Sequence, residues 1–135
     1  MAGTHEFILI VDYGSQYTQL IARRIRERHV FCRIVPPRDL TLGGLRQHPP
    51  KGIILSGGPA SVYQANAPLP ATEIFEAGIP TLGICYGMQA MAHRLGGEIA
   101  RATKREYGKA PLRVLTANGL FKAVKPESVS WMSHG

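Results

Sequence analysis

One cysteine of this chain lies in a context suited to nucleophilic chemistry. Cys85 stands in Gly83-Ile84-Cys85-Tyr86-Gly87, between a short apolar segment and a stretch predicted to be helical. Glycines two residues before and after a nucleophile allow the tight strand-to-helix turn called a nucleophile elbow. That turn exposes the side chain at a helix N-terminus, whose partial positive charge attracts anions. We therefore predict that Cys85 is a catalytic nucleophile and not an inert buried thiol.

Backbone amides near Cys85 could stabilise the negative oxygen that forms when a thiolate attacks a carbonyl. The Tyr86 N–H is adjacent to the nucleophile. Ser56-Gly57-Gly58-Pro59 follows another apolar segment, so the Gly58 N–H reaches the same place if the two strand ends are neighbours. Gln89 lies one helical turn after Cys85, where its amide could bind a small polar substrate. Taken singly, these residues could also be an ordinary glycine turn and a surface glutamine.

A cysteine nucleophile also needs a general base, which is normally a histidine. The chain has five histidines: His5, His29, His48, His93 and His134. His93 is eight residues along the predicted helix from Cys85, or roughly 12 Å by helix rise. His5 and His29 lie near the starts of predicted strands, at the end of the sheet opposite to Cys85. His48 lies in a proline-rich loop, and no acidic residue follows His134 to orient it. We predict that none of the five is the base.

The elements predicted around these residues alternate between strand and helix. This pattern is typical of an α/β fold with a mostly parallel central sheet and helices on both faces. The predicted strands are 7–12, 30–35, 52–56 and 81–84, and the predicted helices are 15–28, with Ser15 as N-cap, 71–77 and 86–95. Short strands follow at 98–101, 112–115 and 129–131, with a tight turn at Asn118-Gly119. No closing helix follows them, so the fold is expected to be truncated before its C-terminal elements.

Composition excludes several classes of protein. The chain has 135 residues and is 44% hydrophobic, which fits one soluble domain or a large part of one. We expect a cytoplasmic protein, because there is no signal peptide and no apolar run of the roughly 20 residues that cross a membrane. Two cysteines, Cys32 and Cys85, make neither a disulfide framework nor a thiolate zinc site, so no metal site is predicted.

The net charge of +7 raises the question of nucleic acid, but no recognition motif is present. Four arginines cluster within residues 23–28, on a predicted amphipathic helix whose apolar face carries Tyr17, Ile21 and Ile25. A charge run on such a helix is usually a solvated face or a contact between subunits.

Several segments resemble a known enzyme family. The segment from Gly83 to Gln89 resembles the signature of class I, triad-type, glutamine amidotransferases, and 54–59 resembles their oxyanion loop. Three further segments, at 10–24, 105–108 and 131–135, resemble the GMP synthase branch of that family. The resemblance runs from about Phe7 to Gly135, and its long first segment is highly specific.

The resemblance implies a role for each matching residue. Cys85 would attack the side-chain amide of glutamine, and the N–H groups of Gly58 and Tyr86 would form the oxyanion hole. The residues that would bind the substrate are Gln89, Ser133 and Gly135. The catalytic His and Glu would belong to a His-x-Glu motif beyond Gly135, so residues 1–135 would be an incomplete glutamine amidotransferase domain.

The resemblance also implies partners and cofactors. Ammonia would pass to a synthetase domain or subunit that binds XMP and ATP, uses Mg²⁺ and makes GMP, while residues 1–135 would need no cofactor themselves. The full enzyme could be a homodimer. The alternatives are a non-catalytic module that binds glutamine or a partner, a cysteine peptidase with the same elbow, and the amidotransferase of another pathway.

Overall fold

The structure is a computed structural model that describes residues 6–58, 67–97, 106–113, 120 and 127–134. It divides into two compact units, Met1–Ile99 and Ala100–Gly135. Within the described residues, every helix is too short or too polar to cross a bilayer.

The first unit is built on a sheet of four parallel strands. They are β1 (Phe7–Val11), β2 (Phe31–Val35), β3 (Gly52–Leu55) and β4 (Thr81–Gly83), in the order β2-β1-β3-β4. Val11 pairs with Leu55, and Leu55 pairs with Gly83, so β1, β3 and β4 end level with one another. The segments that follow these three strands therefore emerge side by side at one edge of the sheet.

Helical segments cover both faces of this sheet. Helix α1 (Thr18–Arg26) packs Ala22 with Ile10 and Cys32 on one face. The other face is covered by α2 (Leu42–Gln47), a 3₁₀ helix at Thr72–Ala77 and α3 (Tyr86–Arg94). The central strands β1 and β3 are buried or half-buried at every residue, which is why they are continuous apolar runs in the sequence. The edge strands β2 and β4 expose Phe31 and Leu82.

The second unit contains an antiparallel pair of strands. β5 (Glu106–Arg113) and β6 (Glu127–His134) pair along their whole length, from Glu106 opposite His134 to Arg113 opposite Glu127. These strands include most of the short strands predicted at 112–115 and 129–131. The strand predicted at 98–101 and the turn predicted at Asn118-Gly119 lie outside the described residues.

The predicted fold class is confirmed, with differences in detail. Ser15 is not the N-cap of α1, because its hydroxyl accepts a hydrogen bond from the Tyr17 N–H at 2.9 Å and the helix begins later, at Thr18. The segment 71–77 forms a 3₁₀ helix instead of an α-helix. Helix α2 was not predicted, although Thr41 caps it by accepting from the Gly44 N–H at 3.1 Å.

Helix α3 lies unusually close to β3. A Cβ atom built at Gly87 would overlap the backbone carbonyl of Leu55, and one built at Gly83 would lie 2.6 Å from the Met88 Cα. Both positions therefore require glycine, as the crowded elbow predicted. The absence of side chains here lets the helix N-terminus approach the end of the sheet.

We predict that Gly87→Ala lowers the free energy of unfolding by at least about 2 kcal/mol, because backbone atoms of Leu55 would have to move. The matched control is Gly43→Ala in exposed α2, where an added Cβ meets nothing within 4 Å. That change should be neutral or stabilise by up to about 1 kcal/mol. Urea unfolding followed by circular dichroism measures both variants, and equal effects would contradict the close packing.

Tyr13 follows β1 and carries a buried hydroxyl with an altered pKa. The residue is 6% exposed, and its hydroxyl has no hydrogen-bond partner among the described residues. Burial, with a smaller contribution from nearby Tyr86, raises the pKa of Tyr13 from 10.0 to about 12. The folded chain thus keeps the proton to higher pH than the unfolded chain.

We predict that the free energy of unfolding falls as pH rises from about 10 to about 12, because only unfolded Tyr13 loses its proton in that range. Tyr13→Phe should remove that part of the fall, which is on the order of 2 kcal/mol. At neutral pH the variant should be at least as stable as the wild type, since the buried hydroxyl that is lost has no partner in the described part of the chain. Urea unfolding at several pH values tests this, and identical pH profiles for both proteins would contradict it.

Candidate active site

Cys85 occupies the turn between β4 and α3 in a strained conformation. Its φ is 52° and its ψ is −117°, and it is exposed. A positive φ at a non-glycine residue costs on the order of 1–3 kcal/mol and persists only where the surroundings enforce it. Here Tyr86 and Ala90, both buried on α3, fix the helix against the sheet. The predicted elbow geometry is therefore present, with the thiol directed out of the core.

The glycine loop after β3 lies against this thiol. A Cβ atom built at Gly57 would be 3.1 Å from the Cys85 Cβ and 3.7 Å from its Sγ. The next residue, Gly58, lies so close to the Tyr13 carbonyl that a side chain would overlap it. A side chain is therefore excluded at Gly58 and would be crowded at Gly57.

Several backbone amides at this edge have no acceptor among the described residues. They include the N–H of Gly58 and the N–H of Tyr86, the first residue of α3. Two other amides of the turn are hydrogen-bonded. The Gly87 N–H donates to the Ile84 carbonyl at 2.9 Å, and the Gln89 N–H donates to the Cys85 carbonyl at 3.2 Å. Donors of this kind beside a nucleophile can stabilise developing negative charge.

Gln89 stands one turn along α3 from Cys85 and is half-buried. Its side-chain Oε1 is buried and has no hydrogen-bond partner among the described residues. A buried amide oxygen without a donor is unfavourable, so a polar group that supplied a donor here would be stabilised.

Two tyrosines join the loops around the thiol. The rings of Tyr13 and Tyr86 meet edge to face, with centroids 5.2 Å apart. The Tyr86 hydroxyl donates to the Pro68 carbonyl at 2.6 Å, and burial raises the pKa of Tyr86 against the opposing charge of Arg94. Arg94 in turn donates to the Pro70 carbonyl at 2.7 Å, which holds the segment before the 3₁₀ helix onto α3.

The remaining predicted residues lie in other parts of the chain. Ser133 belongs to β6 of the second unit, and Gly135 is outside the described residues. His29 precedes β2, His48 caps the end of α2, and exposed His93 lies in the last turn of α3. Cys32, in contrast to Cys85, is 2% exposed, and its thiol donates to the Ala22 carbonyl at 3.6 Å.

The sequence analysis did not predict a set of buried and half-buried polar residues behind the glycine loop. Asp12 and Tyr13 follow β1, Thr18 begins α1, and Ser56 directly precedes Gly57. Their side chains or backbone form a connected set of hydrogen bonds. One feature of the sequence could have indicated this set: Ser56 is a polar residue between an apolar strand and two glycines.

Comparisons with known proteins agree with this geometry. The family described as Glutamine amidotransferase class-I matches residues 9–135. GMP synthase [glutamine-hydrolyzing] of Heliobacterium modesticaldum is 51% identical over 135 residues, which are all of this chain and 26% of that protein. The protein of the same name from Caldanaerobacter subterraneus is 55% identical over 129 residues, which are 96% of this chain and 25% of that protein. The chain thus spans about a quarter of the length of these relatives.

Solved structures share the fold. A Thermoplasma acidophilum protein provisionally described as a GMP synthase subunit has a TM-score of 0.71 at 28% identity, covering 96% of this chain and 65% of that one. A glutamine amidotransferase of Thermotoga maritima has a TM-score of 0.73 at 20% identity, covering 97% and 61%; at that identity the likeness concerns the fold alone. With a family match over residues 9–135 and an exposed cysteine in a nucleophile elbow, this chain belongs to the class-I glutamine amidotransferases.

Proposed function

We propose that residues 1–135 form part of a glutamine amidotransferase domain of the GMP synthase type, with Cys85 as the nucleophile. The observation that carries the proposal is the exposed Cys85 thiol at φ 52°, next to Gly57 and at the N-terminus of α3. A buried or regularly folded cysteine would not have supported it. Thiol chemistry of this kind fits a reducing, cytoplasmic environment.

In the proposed reaction, the Cys85 sulfur attacks the side-chain carbonyl carbon of glutamine. A C–S bond forms, and the carbonyl oxygen takes the negative charge, which the N–H groups of Gly58 and Tyr86 stabilise. The C–N bond then breaks, and the amide nitrogen leaves as ammonia after gaining a proton. Water hydrolyses the thioester to glutamate and restores the thiol. The base that moves these protons would be a histidine beyond Gly135.

Substrate contacts are assigned by the same reasoning. Gln89 would bind glutamine through the side-chain oxygen that is buried without a partner among the described residues. Ser133 and Gly135 would contact the amino-acid end of the substrate. These assignments rest on the family resemblance and, for Gln89, on its place one turn after Cys85.

The proposed fate of the ammonia is based on the relatives, which are named GMP synthase [glutamine-hydrolyzing]. Ammonia would reach a synthetase domain or subunit, where it would aminate XMP, activated by ATP with Mg²⁺, to give GMP, AMP and pyrophosphate. The whole protein would then be a ligase, and the 135 residues alone would lack the complete set of catalytic groups. A homodimer of the whole enzyme is part of this proposal.

We predict that a glutamine-analogue alkylator labels Cys85 well ahead of Cys32 in the complete protein that carries these residues, and that glutamine protects Cys85. Cys85 is exposed, whereas Cys32 is buried against α1. Peptide mass spectrometry identifies the labelled site. Cys85→Ala should abolish labelling and lower glutamine hydrolysis by several orders of magnitude, while Cys32→Ala is the matched control. Equal labelling of both cysteines, or labelling that glutamine does not block, would favour a non-catalytic module.

We also predict that Gln89→Leu raises KM for glutamine about tenfold, with a smaller effect on kcat, because one hydrogen bond to the substrate is lost. Steady-state glutaminase kinetics of the complete protein measure both constants. Gln47→Leu, at the exposed end of α2, is the matched control and should leave both within twofold. The same KM in both variants would show that Gln89 does not contact glutamine.

A further inference from the structure

Two buried hydroxyls lie behind the Gly57-Gly58 loop. Ser56 is fully buried, and Thr18, in the first turn of α1, is 2% exposed. Their oxygens are 3.2 Å apart, although the residues are 38 positions apart in the sequence. Neither residue is among the reacting or substrate-binding groups assigned above.

The protons of these hydroxyls have a limited choice of acceptors. The Thr18 Oγ1 donates to the Asp12 Oδ1 at 3.1 Å, and a carboxylate oxygen only accepts, so the single Thr18 proton is used there. The Ser56 hydroxyl has one proton, which it shares between the Thr18 Oγ1 at 3.2 Å and the Gly57 carbonyl at 3.3 Å as a bifurcated donor. The Ser56 oxygen also accepts from the Tyr13 N–H at 3.4 Å. These three long contacts together restrict the Ser56 side chain.

The bond from Ser56 to Gly57 has a consequence for the oxyanion hole. The Gly57 carbonyl and the Gly58 N–H belong to the same peptide unit, and a trans peptide is planar with these two groups pointing in opposite directions. A group that holds the carbonyl therefore also orients the N–H. The 3.3 Å contact is longer than the roughly 2.7–2.8 Å of an ideal O–H···O bond. It is weak alone, so a second contact that fixes the Ser56 rotamer matters.

Asp12 anchors the other end of this set. Its Oδ1 accepts from the Gly14 N–H at 2.8 Å as well as from Thr18, and its own N–H donates to the Val35 carbonyl at 2.9 Å. The turn after β1 and the start of α1 are thereby tied to the sheet. Thr18 is a fixed brace for Ser56 and not a freely rotating side chain.

We propose that Ser56 and Thr18 are positioning residues for glutamine hydrolysis: Ser56 sets the plane of the Gly57-Gly58 peptide, and Thr18, anchored on Asp12, holds Ser56. The inference rests on the proposed roles of Cys85 and Gly58. Two successive glycines have wide backbone freedom, and an oxyanion donor is effective only when it is oriented before the reaction. The buried hydroxyls supply that orientation.

The first test is Ser56→Ala in the complete protein. We expect kcat for glutamine hydrolysis to fall about tenfold, a fraction of the loss seen when an oxyanion donor is removed, with KM within twofold. The rate at which iodoacetamide alkylates Cys85 should stay within twofold, because the sulfur displaces iodide from a saturated carbon and no oxyanion forms. An unchanged kcat, or a parallel fall in alkylation, would overturn the proposal.

The second test compares Thr18→Val with Thr18→Ser. Valine keeps the volume and loses the hydroxyl, whereas serine keeps the hydroxyl and loses a buried methyl group. We expect a severalfold lower kcat for Thr18→Val and a kcat within twofold of wild type for Thr18→Ser. If Thr18 acted only by packing, Thr18→Ser would be the more damaged variant, and that order would overturn its role. This pair carries the test if Ser56→Ala does not fold.

Different results would refute the proposed function and the positioning role of Ser56 and Thr18. A wild-type protein that hydrolyses no glutamine, or whose hydrolysis survives Cys85→Ala, would refute the proposed function and the positioning role with it. A wild-type protein that depends on Cys85 but is unaffected by Ser56→Ala would refute the positioning role alone.

Discussion

The close approach of α3 to the end of β3 is the constraint on which the rest of the site depends. Gly87 lies on the Leu55 carbonyl with no room for a side chain, so the helix must begin directly at the edge of the sheet. The chain can connect β4 to a helix so placed only by a sharp reversal, and Cys85 takes the positive φ that this reversal requires. Burial of Tyr86 and Ala90 offsets the strain. The exposure of the thiol is thus a result of how the helix packs.

Strand order brings the other parts of the site to the same edge. Because β1, β3 and β4 are neighbours that end in register, the turn after each one enters the site: Asp12 and Tyr13 after β1, Ser56 to Gly58 after β3, and Cys85 after β4. Each of these segments is local in sequence, but their meeting depends on the order of the sheet. A different strand order would leave the glycine loop far from the thiol with no change in any local motif.

The sequence could predict the features that depend on short segments. Four apolar runs specified the parallel strands, and the glycines around Cys85 specified the elbow, because both follow from local sterics and burial. Helix α2 was not predicted, because Gly43 and Gly44 lower the helix propensity of this segment. In the fold, the Thr41 cap and the burial of Leu45 stabilise the helix. Ser15 looked like a helix cap, but its hydroxyl bonds two residues ahead in a turn. The contact between Thr18 and Ser56 joins distant segments, and no local pattern in the sequence encodes it.

Tyr13 shows why a loop that supplies no reacting atom can still belong to the active site. Its backbone carbonyl lies against Gly58, and its ring packs on Tyr86, so one residue contacts both of the residues whose amides are assigned to the oxyanion hole. Burying its hydroxyl without a partner among the described residues costs on the order of 1–3 kcal/mol. An edge-to-face aromatic pair contributes about 0.5–1.5 kcal/mol beyond the burial of its surface. The ring's contacts and its buried area together offset the hydroxyl, which means that the ring, and not the oxygen, explains an aromatic residue at this position. The turn after β1 therefore acts on the site by packing, as Ser56 and Thr18 do by hydrogen bonding, and both effects converge on the same glycine peptide.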